Sequence, residues 1–197
     1  LNFQIEPEVL KKTLLTDILK GQDWGAYAQL PERSRQKWVL EYSSPNVAKP
    51  FMVYYLRQTA LGAVLDRVGR YRGFQMVTIN HLGDWGTQYG KLVVAFRKYG
   101  HELSAQPSVE DLVDLYVRIN AEMKEKPELE DEAREAFVKL EQGDPEITQF
   151  WKKCCDIALA EFERIYRRIG VQFDHIWGES FYQHQLKPLL ENFKKKG

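Results

Sequence analysis

The stretch 37–98 most constrains what this chain can fold into, because strand-forming and helix-patterned segments alternate there across turn formers. Lys37-Trp38-Val39-Leu40-Glu41-Tyr42 is rich in strand-forming residues and runs into the turn cluster Ser43-Ser44-Pro45-Asn46. From Pro50 to about Tyr71, apolar Val53, Leu56, Ala60, Leu61, Val64, Leu65 and Val68 recur at helical spacing. Phe74-Gln75-Met76-Val77-Thr78-Ile79-Asn80 reads as a second strand, Gly83-Asp84-Trp85-Gly86 breaks it, and 87–98 reads as a second helix. Strand, helix, strand, helix predicts parallel strands joined by crossover helices, the opening of an α/β sheet.

The flanks differ in character. Beyond Pro107 the sequence is charged and helix-forming, with segments at 111–116, 128–141 and 144–170 separated by Pro127 and Gly143-Asp144-Pro145. Two or three packed helices over 106–170 are predicted as an insertion into the sheet domain, with Ser108-x-x-Asp111 and Asp144-x-x-Ile147 marking helix starts. Val171-Gln172-Phe173-Asp174 is then expected to resume as a strand, Gly178-Glu179-Ser180-Phe181 to turn, and 182–196 to form a last helix. Upstream, Asn2-Phe3-Gln4-Ile5 alternates briefly, and Pro7 opens a helix carrying Val9, Leu10, Leu14, Leu15, Ile18 and Leu19 that Gly21 stops. With no initiating methionine, residues 1–30 read as the remnant of an upstream domain, 31–105 as the first half of the sheet domain, and 171–197 as the return to it.

Composition limits the partners. At 197 residues and 44% hydrophobic the chain can bury a core, and 28 Lys plus Arg against 28 Asp plus Glu leave no overall field to gather nucleic acid. Cys154 and Cys155 are adjacent in a predicted helix, poorly placed to bridge each other, and no histidine stands at a ligand-like spacing, so no metal site is assigned. No apolar run approaches the ~20 residues that span a bilayer. The expected setting is reducing and cytoplasmic, without a signal peptide or a membrane contact.

The first strand-to-helix crossing is the natural ligand site, since a helix N-terminus offers unpaired N–H groups and partial positive charge, and open α/β sheets bind ligands at the carboxyl ends of their strands. The Ser44-Pro45-Asn46 and Gly83-Asp84-Trp85-Gly86 loops both fall at that edge, where Asp84 would suit a cationic amino acid. Ordinary alternatives stand beside this. Asn, Pro and Gly after a strand also make plain turns, Lys49 would be a solvated charge at a helix start, and His81 a satisfied loop histidine. Ser180 near His184 could suggest a nucleophile and base, yet Ser180 is expected to cap the last helix, and Lys187, Lys194, Lys195 and Lys196 to form a solvated helix end.

The residues Ser44-Pro45-Asn46-Val47-Ala48-Lys49-Pro50, Leu56-Arg57, Ile79-Asn80-His81-Leu82-Gly83-Asp84-Trp85-Gly86-Thr87-Gln88-Tyr89-Gly90-Lys91-Leu92 and Gly178-Glu179-Ser180-Phe181-Tyr182 give the chain a resemblance to class I arginyl-tRNA synthetases. Gly143-Asp144-Pro145-Glu146-Ile147, Trp151-Lys152 and Glu161-Phe162-x-x-Ile165-Tyr166 extend it through the insertion. The resemblance implies a truncated Rossmann-like catalytic domain that activates arginine with ATP and Mg²⁺ and charges tRNA. It implies that Ser44 and Asn46 hold arginine, that Lys49 neutralises ATP phosphates, and that His81, Asp84 and Gln88 line the same pocket. The second half of the sheet and the anticodon-binding domain would lie beyond Gly197.

One departure is severe. Where that family has His-x-Gly-His, this chain has Met52-Val53-Tyr54-Tyr55. Met52 cannot donate to a phosphate, Tyr55 could do so only from another position, and Tyr54 puts a phenol where a glycine lets adenosine approach the backbone. Native activity is therefore expected to be lost. Three changes on one helical turn point to deliberate redesign of a truncated scaffold, with Met52, Tyr54 and Tyr55, joined by Phe51, forming an aromatic surface for a flat ligand or a protein partner. The alternatives are side chains that plug an emptied pocket in an inert fragment, and a natural, catalytically dead relative.

Overall fold

A computed structural model describes residues 4, 6–21 and 36–196. Its elements are α1 (Pro7–Lys20), β1 (Lys37–Glu41), α2 (Val53–Tyr71), β2 (Gln75–Asn80), α3 (Thr87–Tyr99), α4 (Val109–Met123), α5 (Glu128–Glu141), α6 (Pro145–Ile169), β3 (His175–Ile176) and α7 (Gln183–Lys196), with short 3-10 turns at Gly100–Glu102 and Glu179–Tyr182. The strand expected at Asn2-Phe3-Gln4-Ile5 lies outside the described residues. Among those residues no helix is long and apolar enough to cross a membrane.

The chain divides into two compact units, one of residues 1–38 and 64–76 and one of residues 39–63 and 77–197. In the first, α1 is a solvent-facing helix whose Val9, Leu10, Leu15, Ile18 and Leu19 are exposed. The end of α2 turns through Gly73 (φ 86°), with Phe74 N–H donating to Gly69 at 3.0 Å, and the Trp38 and Phe74 rings meet at 4.7 Å.

The strands form a three-stranded parallel sheet in the order β1-β2-β3, as the alternation of strands and helices predicts. Ile79 stands opposite His175 and Asn80 opposite Ile176. Pairing continues past the strand ends, where Trp177 N–H donates to Asn80 (3.1 Å) and Glu179 N–H to Leu82 (3.0 Å).

The strand expected at Val171–Asp174 begins instead at His175. Gly170 ends α6 in the left-handed conformation (φ 66°), and Val171 N–H returns to the Tyr166 carbonyl at 2.9 Å, so Val171 belongs to the helix cap. Asp174 meets β2 through its side chain, accepting from Thr78 N–H (2.8 Å) and Thr78 Oγ1 (2.9 Å). A side chain has taken over the ladder's role at this point.

The second unit also carries the packed helices. α4 starts at a full capping box, Ser108 Oγ accepting from Asp111 N–H and the Asp111 carboxylate from Ser108 N–H, while the Asp144 side chain caps α6 by accepting from Ile147 N–H at 3.0 Å. The buried stripes recur at helical spacing: Leu112, Leu115, Ile119 and Met123 on α4, Leu129, Ala133, Ala136 and Leu140 on α5, Ile147, Cys154, Ala158, Phe162 and Tyr166 on α6. They close over Leu92, Val93 and Ala95 of α3 in one core. Gly90 is what lets α3 meet α5 so closely, since a Cβ there would fall 2.0 Å from the Ala133 carbonyl oxygen.

Candidate active site

The loop from β1 to α2 is held in an unusual backbone shape. Ser43 and Ser44 both adopt positive φ (73° and 47°), a region that non-glycine residues occupy at a cost of about 1–3 kcal/mol each. A buried polar network sustains it. Thr59 Oγ1 lies 2.7 Å from both Ser43 Oγ and the Tyr55 carbonyl. The carbonyl can only accept, so Thr59 spends its single proton there and accepts from Ser43, whose oxygen then accepts from the Tyr166 hydroxyl at 2.8 Å. Tyr166 in turn accepts from Asn80 Nδ2 (3.1 Å), and Asn80 Oδ1 accepts from Ser44 N–H (3.1 Å). Burial pushes the Tyr166 phenol up, which keeps it the proton donor this chain of bonds requires.

The two predicted loops are joined directly. Asn46 and Gly83 form a parallel bridge, with Val47 N–H on the Gly83 carbonyl (3.2 Å) and Gly83 N–H on the Pro45 carbonyl (3.1 Å). Ser44 Oγ donates to the Glu41 carboxylate, and Asn46 Oδ1 accepts from Ala48 N–H at 2.9 Å in a local turn. Lys49 is exposed at the edge.

Across this bridge stand the other predicted residues. His81 Nδ1 is 2.8 Å from the Trp177 carbonyl, which can only accept, so the neutral ring carries its proton on Nδ1 and presents Nε2 as the acceptor. Asp84 is 9% exposed, and its two oxygens accept from Ser180 N–H (2.8 Å) and Ser180 Oγ (2.6 Å). Ser180, expected to cap the last helix, thus reaches Asp84 instead. Gly178 makes room, because a Cβ there would sit 2.4 Å from the Asp84 carboxylate. Gln88 Nε2 donates to the Trp85 carbonyl (2.9 Å), and Trp151 Nε1 to the Asp84 carbonyl (2.7 Å).

Met52, Tyr54 and Tyr55 part company. Tyr55 is buried, its ring 5.7 Å from Phe51 and 4.2 Å from Tyr54, and its hydroxyl accepts from Asn46 N–H at 3.1 Å. Phe51 ties this cluster to Phe162 and Tyr166, each at 5.7 Å. Met52 and Tyr54 remain 45% and 49% exposed. The phenol of Tyr55 therefore reaches back from the first turn of α2 to the loop at Asn46.

Sequence reasoning passed over Thr59, Asn80 and Tyr166 as network members. The one signal was Asn80, a polar residue at the end of a buried strand. Cys154 and Cys155 are buried thiols, with desolvation pushing Cys154 up to about 12 and Cys155 higher still.

Residues 15–197 match the family described as tRNA synthetases class I (R), catalytic domain. The chain belongs to this family. It is 46% identical over 198 residues to the arginine–tRNA ligase of Lactococcus lactis subsp. lactis, covering 99% of this chain and 34% of that ligase. Against the Streptococcus suis arginine–tRNA ligase it is 41% identical over 197 residues, covering 100% of this chain and 35% of the relative. The crystal structure of arginyl-tRNA synthetase from Plasmodium falciparum superposes with a TM-score of 0.68 at 27% identity, over 85% of this chain and 28% of that one. The chain thus spans about a third of the length of the curated relatives it matches.

The family is ATP-dependent, and the residues of this corner do not fit that use. In the first turn of α2 the Tyr55 phenol is engaged with Asn46 N–H, and Met52 offers no donor to a phosphate. Among the described residues no group of three or more His, Cys, Asp or Glu could hold a metal ion.

Proposed function

We propose that this chain is the first part of an arginyl-tRNA synthetase catalytic domain that keeps the arginine side of its pocket and has its ATP corner closed by its own side chains. The observation that carries the reading is the Tyr55 hydroxyl on Asn46 N–H, which ties the substituted helix start to the loop of Ser44 and Asn46. In this reading Ser44 and Asn46 hold arginine, Asp84 and Gln88 line the same pocket, and His81 offers Nε2 to a substrate hydrogen bond. Lys49 is the cation this reading assigns to a phosphate, and it stands exposed.

Losing a preorganised donor to developing charge costs about 10²–10³ in rate. Two donors are replaced here, and the resulting loss removes measurable arginine activation, so the chain as it stands does not charge tRNA. The setting is cytoplasmic, where two adjacent thiols stay reduced.

Arginine-dependent exchange of labelled pyrophosphate into ATP tests this, run on the chain beside a variant carrying Met52→His, Tyr54→Gly and Tyr55→His. Exchange in the variant alone supports the reading. Equal exchange in both overturns it.

A second reading rests on the exposure of Met52 and Tyr54. These side chains, set on one turn above buried Tyr55, form a redesigned surface for a flat aromatic ligand or a protein partner. Saturable binding abolished by Tyr54→Gly would favour it over both the closed synthetase half and an inert fragment.

A further inference from the structure

Away from the two loops, α3 and α6 leave a cavity of about 240 Å³ between them. Its floor is Val93 and Ile147, both buried, and one wall is the contacting pair Phe96 and Phe150, whose ring centroids are 4.7 Å apart and whose planes are tilted by 36°. Phe96 is 38% exposed, so the aromatic wall reaches the mouth. At that mouth stand Arg97, Lys153 and Glu146, all exposed. Among the described residues none of the three has an ion-pair partner, and together they leave one net positive charge over an apolar floor.

We propose that this cavity is a binding site for a small aromatic carboxylate, its ring seated on Val93 and Ile147 against the paired rings of Phe96 and Phe150 and its carboxylate at Arg97 and Lys153. Size supports one ring. A cavity of roughly 150 Å³ lined by Leu, Ile and Phe takes benzene, whereas drug-sized ligands need about 300–1,000 Å³. Charge supports the acid over its neutral analogue, since the guanidinium of Arg97 can take a carboxylate bidentately and Lys153 adds a second cation. Glu146 on the same rim disfavours a dianion and selects for a single charge.

The test is titration of the full chain, by NMR, with 3-phenylpropionate and separately with 3-phenylpropionamide. Saturable shifts at Phe96, Phe150 and Ile147 are expected with the acid in the millimolar range. The amide should bind more weakly, and Arg97→Gln with Lys153→Gln, two surface changes that leave the core intact, should reduce the acid's affinity by about tenfold at low salt. No saturable shift at these residues would overturn the proposal. So would equal binding of acid and amide that is indifferent to the double variant, because the groove would then be merely apolar.

Discussion

At the scale of single residues, one phenol decides how the candidate site reads. The Tyr55 hydroxyl is the acceptor for Asn46 N–H, so Tyr55→Phe should cost about 1 kcal/mol in urea unfolding by leaving that donor without its partner. Asp84 was legible in the sequence as a polar loop residue, but its partner was not, because Ser180 lies 96 residues away and only the fold brings them together. Ser180→Ala should therefore destabilise by about 1.5–3 kcal/mol, the range for a lost hydrogen bond to a charged group, where a solvated Ser would cost almost nothing. The buried thiols give a further check. Both are held well above the ordinary range for cysteine, so in the folded protein near neutral pH neither should react appreciably with a thiol reagent, and both should react once urea unfolds the chain. Rapid labelling of the native state would show that α6 does not bury them.

At the scale of elements, periodicity revealed most of the architecture. The apolar spacing that predicted a helix to about Tyr71 marks α2, and the segments at 87–98 and 128–141 became α3 and α5 with little change in their ends. The return strand was misplaced by four residues for a physical reason: Gly170 folds Val171 back onto α6, and the Asp174 carboxylate satisfies Thr78 in place of a backbone rung. No local pattern announces a side chain that substitutes for a strand. The α4 start carries its own prediction, since Ser108→Ala should cost about 1 kcal/mol by removing one half of the capping box. A pH effect belongs to the α3–α4 contact. Glu122 accepts from Lys98 (2.6 Å), Lys126 (3.0 Å) and Tyr99, and the Lys98 bond leads in holding its carboxyl down to about 2, below the ordinary 4.5. A depressed folded value means the contribution is present above pH 4.5 and lost as the pH falls through about 2. Glu122→Gln should accordingly lower stability at neutral pH and converge with the parent in acid, read from urea midpoints across that range.

At the scale of the whole molecule, burial separates two kinds of apolar residue. Phe162 is fully buried in the helical core and touches the cluster beneath Tyr55, whereas Leu186, Leu189, Leu190 and Phe193 line one face of α7 in contact with solvent. Phe162→Ala should cost about 3–5 kcal/mol, while Phe193→Ser should stay within about 0.5 kcal/mol, a contrast that thermal or urea unfolding resolves directly. Phe162 and Tyr166 also join α6 through Phe51 to the turn that opens α2, so that turn is packed as part of the core. Calorimetric titration of ATP into this chain and into the Met52→His, Tyr54→Gly, Tyr55→His variant tests whether that packing excludes the nucleotide. The account predicts no saturable heat for the chain and saturable binding for the variant, whereas ATP binding of equal strength by both would contradict it.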